Sequence, residues 1–319
     1  MAKYIVHRLY TALIVLVAAT LLTFLVMQLT PGDTAYTILT HTFMSSEDLV
    51  TEEDLQLITD MYDLDRPLLV QYGDWLLQAL RGDLGTSYVY KKPVVYLLGL
   101  KLPYTFQLGL LAFSLSLLVA IPLGFLSTRY RNRFFDHLTR LGSILCGSLP
   151  SFWLALVLVM LFSVKLQWLP VSGMKAGWKS WILPCLTQML GMIPSIMRIT
   201  RTSMLEIMGE DYMTFAKAKG LSPMAAIRRH GIRNAMPPII TMAGLQLGGI
   251  LGGTVVIETV FSWPGIGALL SSSIYAKDIP MLQGCILVIT LGYILSMVAM
   301  DLVLMYVCPQ IMHDGGGHG

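Results

Sequence analysis

Charge is what this chain has least of. Asp, Glu, Lys and Arg supply 13% of its 319 residues, about half of the roughly 25% found in an ordinary soluble domain. Hydrophobic residues supply 55%, a composition that excludes a soluble enzyme of this size. The net charge is only +3, and the basic residues are spread without a Lys/Arg block, so the electrostatic footprint of nucleic-acid binding is missing. Cysteine is scarce too. Cys146, Cys185, Cys285 and Cys308 lie in or beside apolar runs with no C-x-x-C spacing and read as small buried hydrophobes rather than disulfides or metal ligands.

Catalytic signatures are equally absent. The run GMKAGWKS (Gly173 to Ser180) superficially resembles a Walker A loop, but three residues separate its glycines and a Trp precedes the Lys, so no phosphate cradle forms. There is no H-E-x-x-H, no G-x-S-x-G and no G-x-G-x-x-G beside a strand. The six histidines are dispersed, and His313 and His318 flank a Gly run that reads as an unstructured tail before it reads as a metal site. The 20 methionines are scattered and read as core filler, with no ladder for a soft metal. Catalytic and metal-ligating residues are therefore expected to be none.

What the chain does have is apolar length. Six blocks stand out: 9–29, 102–128, 141–164, 181–197, 236–257 and 284–307. Each can cross a hydrocarbon core about 30 Å thick as a helix, so the expected fold is all-α and integral to a membrane, with six transmembrane helices in one domain over residues 1–319. The first block exceeds a signal-peptide core and is followed by Thr30, Pro31 and Gly32 rather than a cleavage site, so it reads as a retained anchor. The fourth is short and interrupted by Pro184 and Pro194.

Placing the N-terminus inside puts 13 of the 22 basic residues on the inner side, among them Arg129, Arg131, Arg133 and Arg140. Of the nine outside, five sit in the long first loop, where the positive-inside rule is weak. Both termini are therefore expected to be cytoplasmic.

Two segments between spans are long enough to do something. Residues 30–101 hold eleven of the 19 acidic residues and are expected to form a helical extracytoplasmic element, with helical periodicity over 52–64 and 68–80. It serves either as a solvated cap or as a docking surface. Residues 198–235 form an inner loop far longer than a connection needs. Within it Tyr212, Phe215 and Ala216 fall on one helical face, Lys217 lies on the other side, and Gly220 ends the run. Ala216 and Gly220 leave a low place for another backbone. A protein groove suits this short apolar stripe better than a lipid surface.

Inside the spans the formal charges are Asp301, near the inner end of the sixth, and Glu258, at the outer end of the fifth. No relay of buried charges is visible, so Asp301 reads as a partner for an interfacial basic residue, with a proton-carrying role as the alternative. The fifth span carries Gly244, Gly248, Gly249, Gly252 and Gly253, three overlapping G-x-x-x-G pairs suited to close helix packing. Thr105, Gln107, Gln246 and Thr254 must find hydrogen-bond partners. They serve as interhelical glue or, together with Glu258, line a translocation pathway.

The inner loop carries a resemblance. Ser203 to Glu206 (SMLE), Glu210 to Ser222 (EDYMTFAKAKGLS) and Arg228 to Pro238 (RRHGIRNAMPP) resemble the EAA coupling loop of bacterial ABC importer permeases of the dipeptide, oligopeptide and nickel family, B-type subunit. TPGD (30–33), VQYGDWL (70–76), GDLGTS (82–87), the run 244–267 and KDIPMLQG (277–284) extend the likeness over nearly the whole chain. Thr214, Phe215 and Ala216 stand where Glu-Ala-Ala would, and Pro237 lies further beyond Gly220 than in the generic pattern. Both departures are usual for this branch.

The resemblance implies a type I importer fold in the bacterial inner membrane. It also implies a second homologous permease subunit, two cytoplasmic ABC ATPases that use ATP and Mg, and an extracytoplasmic substrate-binding protein. This chain itself would bind no cofactor and have no enzymatic activity. Glu210, Asp211, Tyr212, Phe215, Ala216, Lys217, Lys219, Gly220 and Leu221 would enter a groove on one ATPase. For cargo, outer loop three (163–184) looks most like nickel permeases, so nickel or a nickel chelate is the leading expectation and short peptides the alternative. A gradient-driven secondary carrier is the rival from a different class.

Overall fold

The computed structural model describes residues 2–30, 32–43, 50–220, 222, 225, 227 and 231–307; of 2–9, 41–43, 216 and 217 only the backbone is described. The expected tail with Cys308, His313 and His318 lies outside these residues. So do Leu221 and much of the segment 221–230. Among the described residues no β-strand forms beyond one isolated bridge, Thr86 with Pro93. Five helices are long and apolar enough to cross a membrane, and a sixth crossing results if one bent pair counts as a single span.

The chain divides into two compact units, residues 1–106 with 262–292, and residues 107–261 with the stretch from 293 onward. The first contains α1 (Ala2–Leu29), α2 (Thr34–Phe43), α3 (Glu52–Met61), α4 (Leu68–Leu80) and the start of α5 (Val94–Arg129). It also holds the short α11 (Ile266–Tyr275) and the first half of α12 (Ile279–Val307). The second contains the remainder of α5, then α6 (Phe134–Ser148), α7 (Ser151–Leu158) with a π-helical continuation over Val159–Lys165, α8 (Lys179–Gly209), α9 (Asp211–Ala218), α10 (Ile232–Val260) and the end of α12.

In the first unit, caps explain where the small helices begin. The Asp33 carboxylate accepts from the Ala35 amide at 2.8 Å and starts α2. Thr51 and Asp54 form a reciprocal capping box at α3, and the bonds from the Thr51 side chain and backbone hold the Asp54 carboxyl below the usual carboxylate range. Helices α2 and α3 bury Ala35, Ile38, Leu39 and Ile58 together. Helix α4 docks on α1, where the Tyr72 and Thr20 hydroxyls share a 2.9 Å hydrogen bond and Phe24 packs on the Tyr72 ring. The periodicity over 52–64 and 68–80 thus appears as α3 and α4, while α2 and α11 had no counterpart among the expected elements.

In the second unit α5, α8 and α10 share a core of Phe113, Ala120, Met192, Ile196, Met197, Ala243 and Ile250. Gly124 lets α5 meet α8. A Cβ there would stand 2.7 Å from the Thr200 Cβ and 2.9 Å from the Met197 carbonyl oxygen, which is backbone and has little room to yield. Gly124→Val should therefore cost about 1–3 kcal/mol of stability, visible as a lower melting temperature of the detergent-purified protein. An unchanged melt would mean the α5–α8 contact is loose.

Two expected spans are redrawn. The block 141–164 is no single straight helix: α6 and the helix from Ser151 to Lys165 meet at a 106° bend at Leu149–Pro150. Proline disfavours helical geometry in the residue before it, and Leu149 is extended, with ψ of 130°. The block 181–197 is the first part of a 31-residue helix, α8, which runs through both prolines and on to Gly209. The beginning of the expected inner loop is therefore a rigid continuation of a crossing helix.

Candidate coupling helix and its supports

Helix α8 ends at Gly209. Glu210 alone is extended, with ψ of 147°, and α9 begins at Asp211. One non-helical residue thus turns the chain from the long helix into a short one, and the amides of Met213 and Thr214 close back onto the Glu210 carbonyl at 3.0 and 3.3 Å. Met213 is fully buried, packed against Ile207 of α8 and Ile227. On the rest of α9, Tyr212 and Phe215 are exposed, as are Glu210, Asp211 and Lys219. The Lys219 ammonium lies 4.6 Å from the Phe215 ring centroid, a cation–π distance.

Gly220 follows the helix with φ of +87°, the left-handed conformation that ends helices, and a Cβ there would meet nothing within 4 Å among the described residues. The helix is thus anchored through Met213 and through the Tyr212 hydroxyl, which accepts from the Asn234 side-chain amide of α10 at 3.2 Å, and it presents Phe215, the outer part of the Tyr212 ring and Gly220. The anchoring residue, Met213, was not among the expected site residues, because an apolar residue between two aromatics carries no sign of which will be buried.

The supports of α8 and α9 form a polar cluster in the same unit. Asp136, fully buried in the first turn of α6, accepts from Arg201 Nε at 2.8 Å and Nη2 at 2.9 Å. It also accepts from the Ser127 hydroxyl at 2.5 Å and from the Asn132 amide at 3.0 Å. Asn132 holds φ of +59° in the turn between α5 and α6, a conformation Asn tolerates better than most residues. Sequence reasoning counted Arg201 only toward orientation and passed over Asp136, since nothing in the spacing of residues 65 apart shows that they meet.

A second cluster lies in the first unit, where three of the motifs that carried the resemblance converge. Asp278 is 1% exposed and accepts from the Ser87 hydroxyl at 2.5 Å, from the amides of Tyr88 and Val89 at 3.1 and 3.3 Å, and from Met281 at the start of α12 at 3.3 Å. Lys277 donates to the carbonyls of Thr30 at 3.2 Å and Gly32 at 2.5 Å. TPGD, GDLGTS and KDIP are thereby one clamp, joining the end of α1, the loop before α5 and the start of α12. Burial, reinforced by the nearby Asp278 carboxylate, pushes the Tyr88 hydroxyl far above its usual range and keeps it neutral.

The pathway candidates are distributed as follows. Thr105 is buried and its hydroxyl accepts from the Ile266 amide at 2.8 Å. Gln107 is exposed. Gln246, half-buried on α10, donates to Ser195 of α8. Thr254 and Glu258 are fully buried on α10, and Thr254 donates to the Leu251 carbonyl at 3.3 Å. Gln188 of α8, which the sequence reading missed, is buried with neither amide atom hydrogen-bonded among the described residues. The glycines of α10 divide by face. Gly244 and Gly248 abut Met300 and Tyr293 of α12, whereas a Cβ at Gly249, Gly252 or Gly253 would meet nothing within 4 Å. Among the described residues, no group of three or more His, Cys, Asp or Glu is placed to hold a metal.

The described residues thus form a helical domain with several helices long and apolar enough to cross a membrane and a short helix, α9, at the foot of one of them. The chain belongs to the family described as binding-protein-dependent transport system inner membrane component, matched over residues 120–313, with the family's N-terminal region matched over residues 1–109. It is an inner-membrane permease subunit of a bacterial ABC importer, multi-pass and without catalytic activity of its own.

A Brucella abortus (strain 2308) protein described as a peptide transport system permease protein is 36% identical over 321 residues, covering 98% of this chain and all of that one. The glutathione transport system permease proteins GsiC of Escherichia coli O6:H1 and Salmonella typhimurium are 34% and 35% identical, each match covering 98% of this chain and all of the relative. Among solved structures, inward-facing forms of the MetNI methionine ABC transporter match with TM-scores of 0.54 and 0.56 at 20% and 19% identity, covering 67% and 66% of this chain and 97% and 96% of those chains. That likeness establishes the fold.

Proposed function

We propose that this subunit forms half of the translocation pathway for short peptides and that a cytoplasmic ATPase drives it through α9. The observation that carries this reading is α9 itself, held at the foot of a long apolar helix by one extended residue, a buried Met213 and the Asn234–Tyr212 hydrogen bond, with Phe215 and Gly220 exposed. Both termini then face the cytoplasm, as the basic loops require. A second permease subunit completes the pathway, two ATPases supply ATP and Mg chemistry, and a substrate-binding protein docks on the outer side. Thr105, Gln107, Gln246, Thr254 and Glu258 remain the candidates for contact with cargo.

The sequence reading leaned toward nickel. The names of relatives 34–36% identical over nearly full length, peptide and glutathione permeases, support the peptide alternative instead. The test is uptake by proteoliposomes containing the complete complex, with its binding protein outside and ATP inside. Labelled dipeptides and glutathione should enter only with ATP, and nickel should not. ATP-dependent nickel uptake without peptide uptake would refute the peptide assignment. Gradient-driven uptake by this chain alone would refute the importer mechanism.

A further inference from the structure

We infer that the Asp136–Arg201 ion pair is the joint through which α9 moves α5 and α6, making these two side chains positioning residues for coupling. This rests on the reading of α9 as the ATPase contact. Arg201 lies on α8 ten residues before Asp211, roughly 15 Å along the axis at about 1.5 Å per residue. Between them the helix is continuous except for Glu210. A push on α9 therefore has one break to cross before Arg201, at Glu210, where the Met213 and Thr214 amides hold α9 to the Glu210 carbonyl.

At that level α8 is held to its neighbours by charge. The guanidinium meets Asp136 with two parallel N–H groups, a geometry that fixes orientation as well as distance. The same carboxylate takes the Ser127 hydroxyl at the end of α5 and the Asn132 amide of the intervening turn. Thr139 of α6 donates to Ser127 Oγ at 3.3 Å, and the Thr128 hydroxyl donates to the Arg201 carbonyl at 3.5 Å. One carboxylate thus gathers the end of α5, the turn and the start of α6 onto α8.

A buried carboxylate deprived of its partner would be left uncompensated, so these elements resist separation far more than apolar contacts alone would. Apolar helix faces can slide over one another. A bidentate pair cannot slide without breaking. The joint also lies at the near end of the α6–α7 bent pair, so α6 is gripped at its first turn, ahead of the 106° break at Leu149–Pro150.

The experiment uses the full complex with spin labels at Leu138 of α6 and Glu206 near the foot of α8, both exposed and neither on α9. Their distance is compared between the nucleotide-free and ATP-vanadate-trapped states. The wild-type distance should stay constant, and in Arg201→Met or Asp136→Asn it should broaden and shift on trapping. Peptide moved per ATP hydrolysed should fall at least tenfold in each single variant, and the double variant should be no worse than the worse single one. Arg201→Lys keeps the charge and loses the fork; it should assemble and show a smaller fall.

A wild-type distance that changes on trapping, or variants with wild-type peptide per ATP, would overturn the inference. If even Arg201→Lys fails to assemble, the pair merely holds the fold and the inference is likewise overturned. Failure of the ATPases to co-purify with the wild-type chain is a different result: it refutes the reading of α9, and the joint falls with it.

Discussion

Gly220→Trp should give a chain that inserts and is recovered from the membrane in normal amount but supports no ATP-coupled uptake. Gly220 sits at φ of +87° with open space where a side chain would project. Among the described residues, a Cβ there therefore meets nothing within 4 Å. The internal cost of the substitution is the left-handed backbone alone, roughly 1–2 kcal/mol for an L-residue, and it falls at a helix end rather than in a core. The indole would occupy the space next to α9 that the proposed ATPase groove must enter.

Gly220→Ala separates the two effects, since it carries the same backbone cost with almost no bulk. Uptake should largely survive in the Ala variant and vanish in the Trp variant. Normal uptake by the Trp variant would eliminate the contact, and equal loss in both would assign the effect to backbone strain.

Asp278→Ala should be the most destabilising substitution in the first unit. It removes the acceptor for the Ser87 hydroxyl and for the Tyr88, Val89 and Met281 amides at once. Each buried donor left without a partner costs about 1–3 kcal/mol. Tyr88 and Val89 are only half-buried, and water will recover part of that, so a total near 3 kcal/mol is expected.

Asp278→Asn should also destabilise, because its amide nitrogen would face N–H groups where a carboxylate oxygen now accepts. Ser87→Ala, which loses one hydroxyl, should cost about 1 kcal/mol. Thermal unfolding in detergent should rank the variants Ala, Asn, then Ser87→Ala from least to most stable. A melting temperature for Asp278→Ala equal to that of the parent would show that the clamp is not what holds these loops.

Legibility differed by the kind of interaction. The crossings could be read because a helix in lipid must be apolar along its whole length, and that leaves a run of residues whatever packs beside it. The small helices α3 and α4 could be read because each buries one face at helical spacing. The Leu149–Pro150 break was missed because apolarity continues across it, although Pro150 was a visible sign. In α8 the misleading signal was the end of the apolar block near Met197. The helix continues because Thr200, Ser203 and Met204 remain buried against their neighbours even as the sequence turns polar.

The sequence by itself determined that the chain lives in a membrane, how many apolar segments it can lay across it, which loop is long and helical, and which family it belongs to. These are properties of residues near one another in the chain, set by hydropathy, periodicity and contiguous motifs. Only the tertiary structure decided that Asp136 grips Arg201, that Asp278 gathers Ser87, Tyr88 and Val89, and that Met213 rather than Tyr212 or Phe215 is the buried anchor of α9. The first two depend on partners 65 and 191 residues apart, and the third on how the chain turns at Glu210 to set Met213 against Ile207 and Ile227. A carboxylate in a sequence carries the same symbol whether it is solvated or clamped, and its surroundings are chosen by the packing of the helices that bring them together.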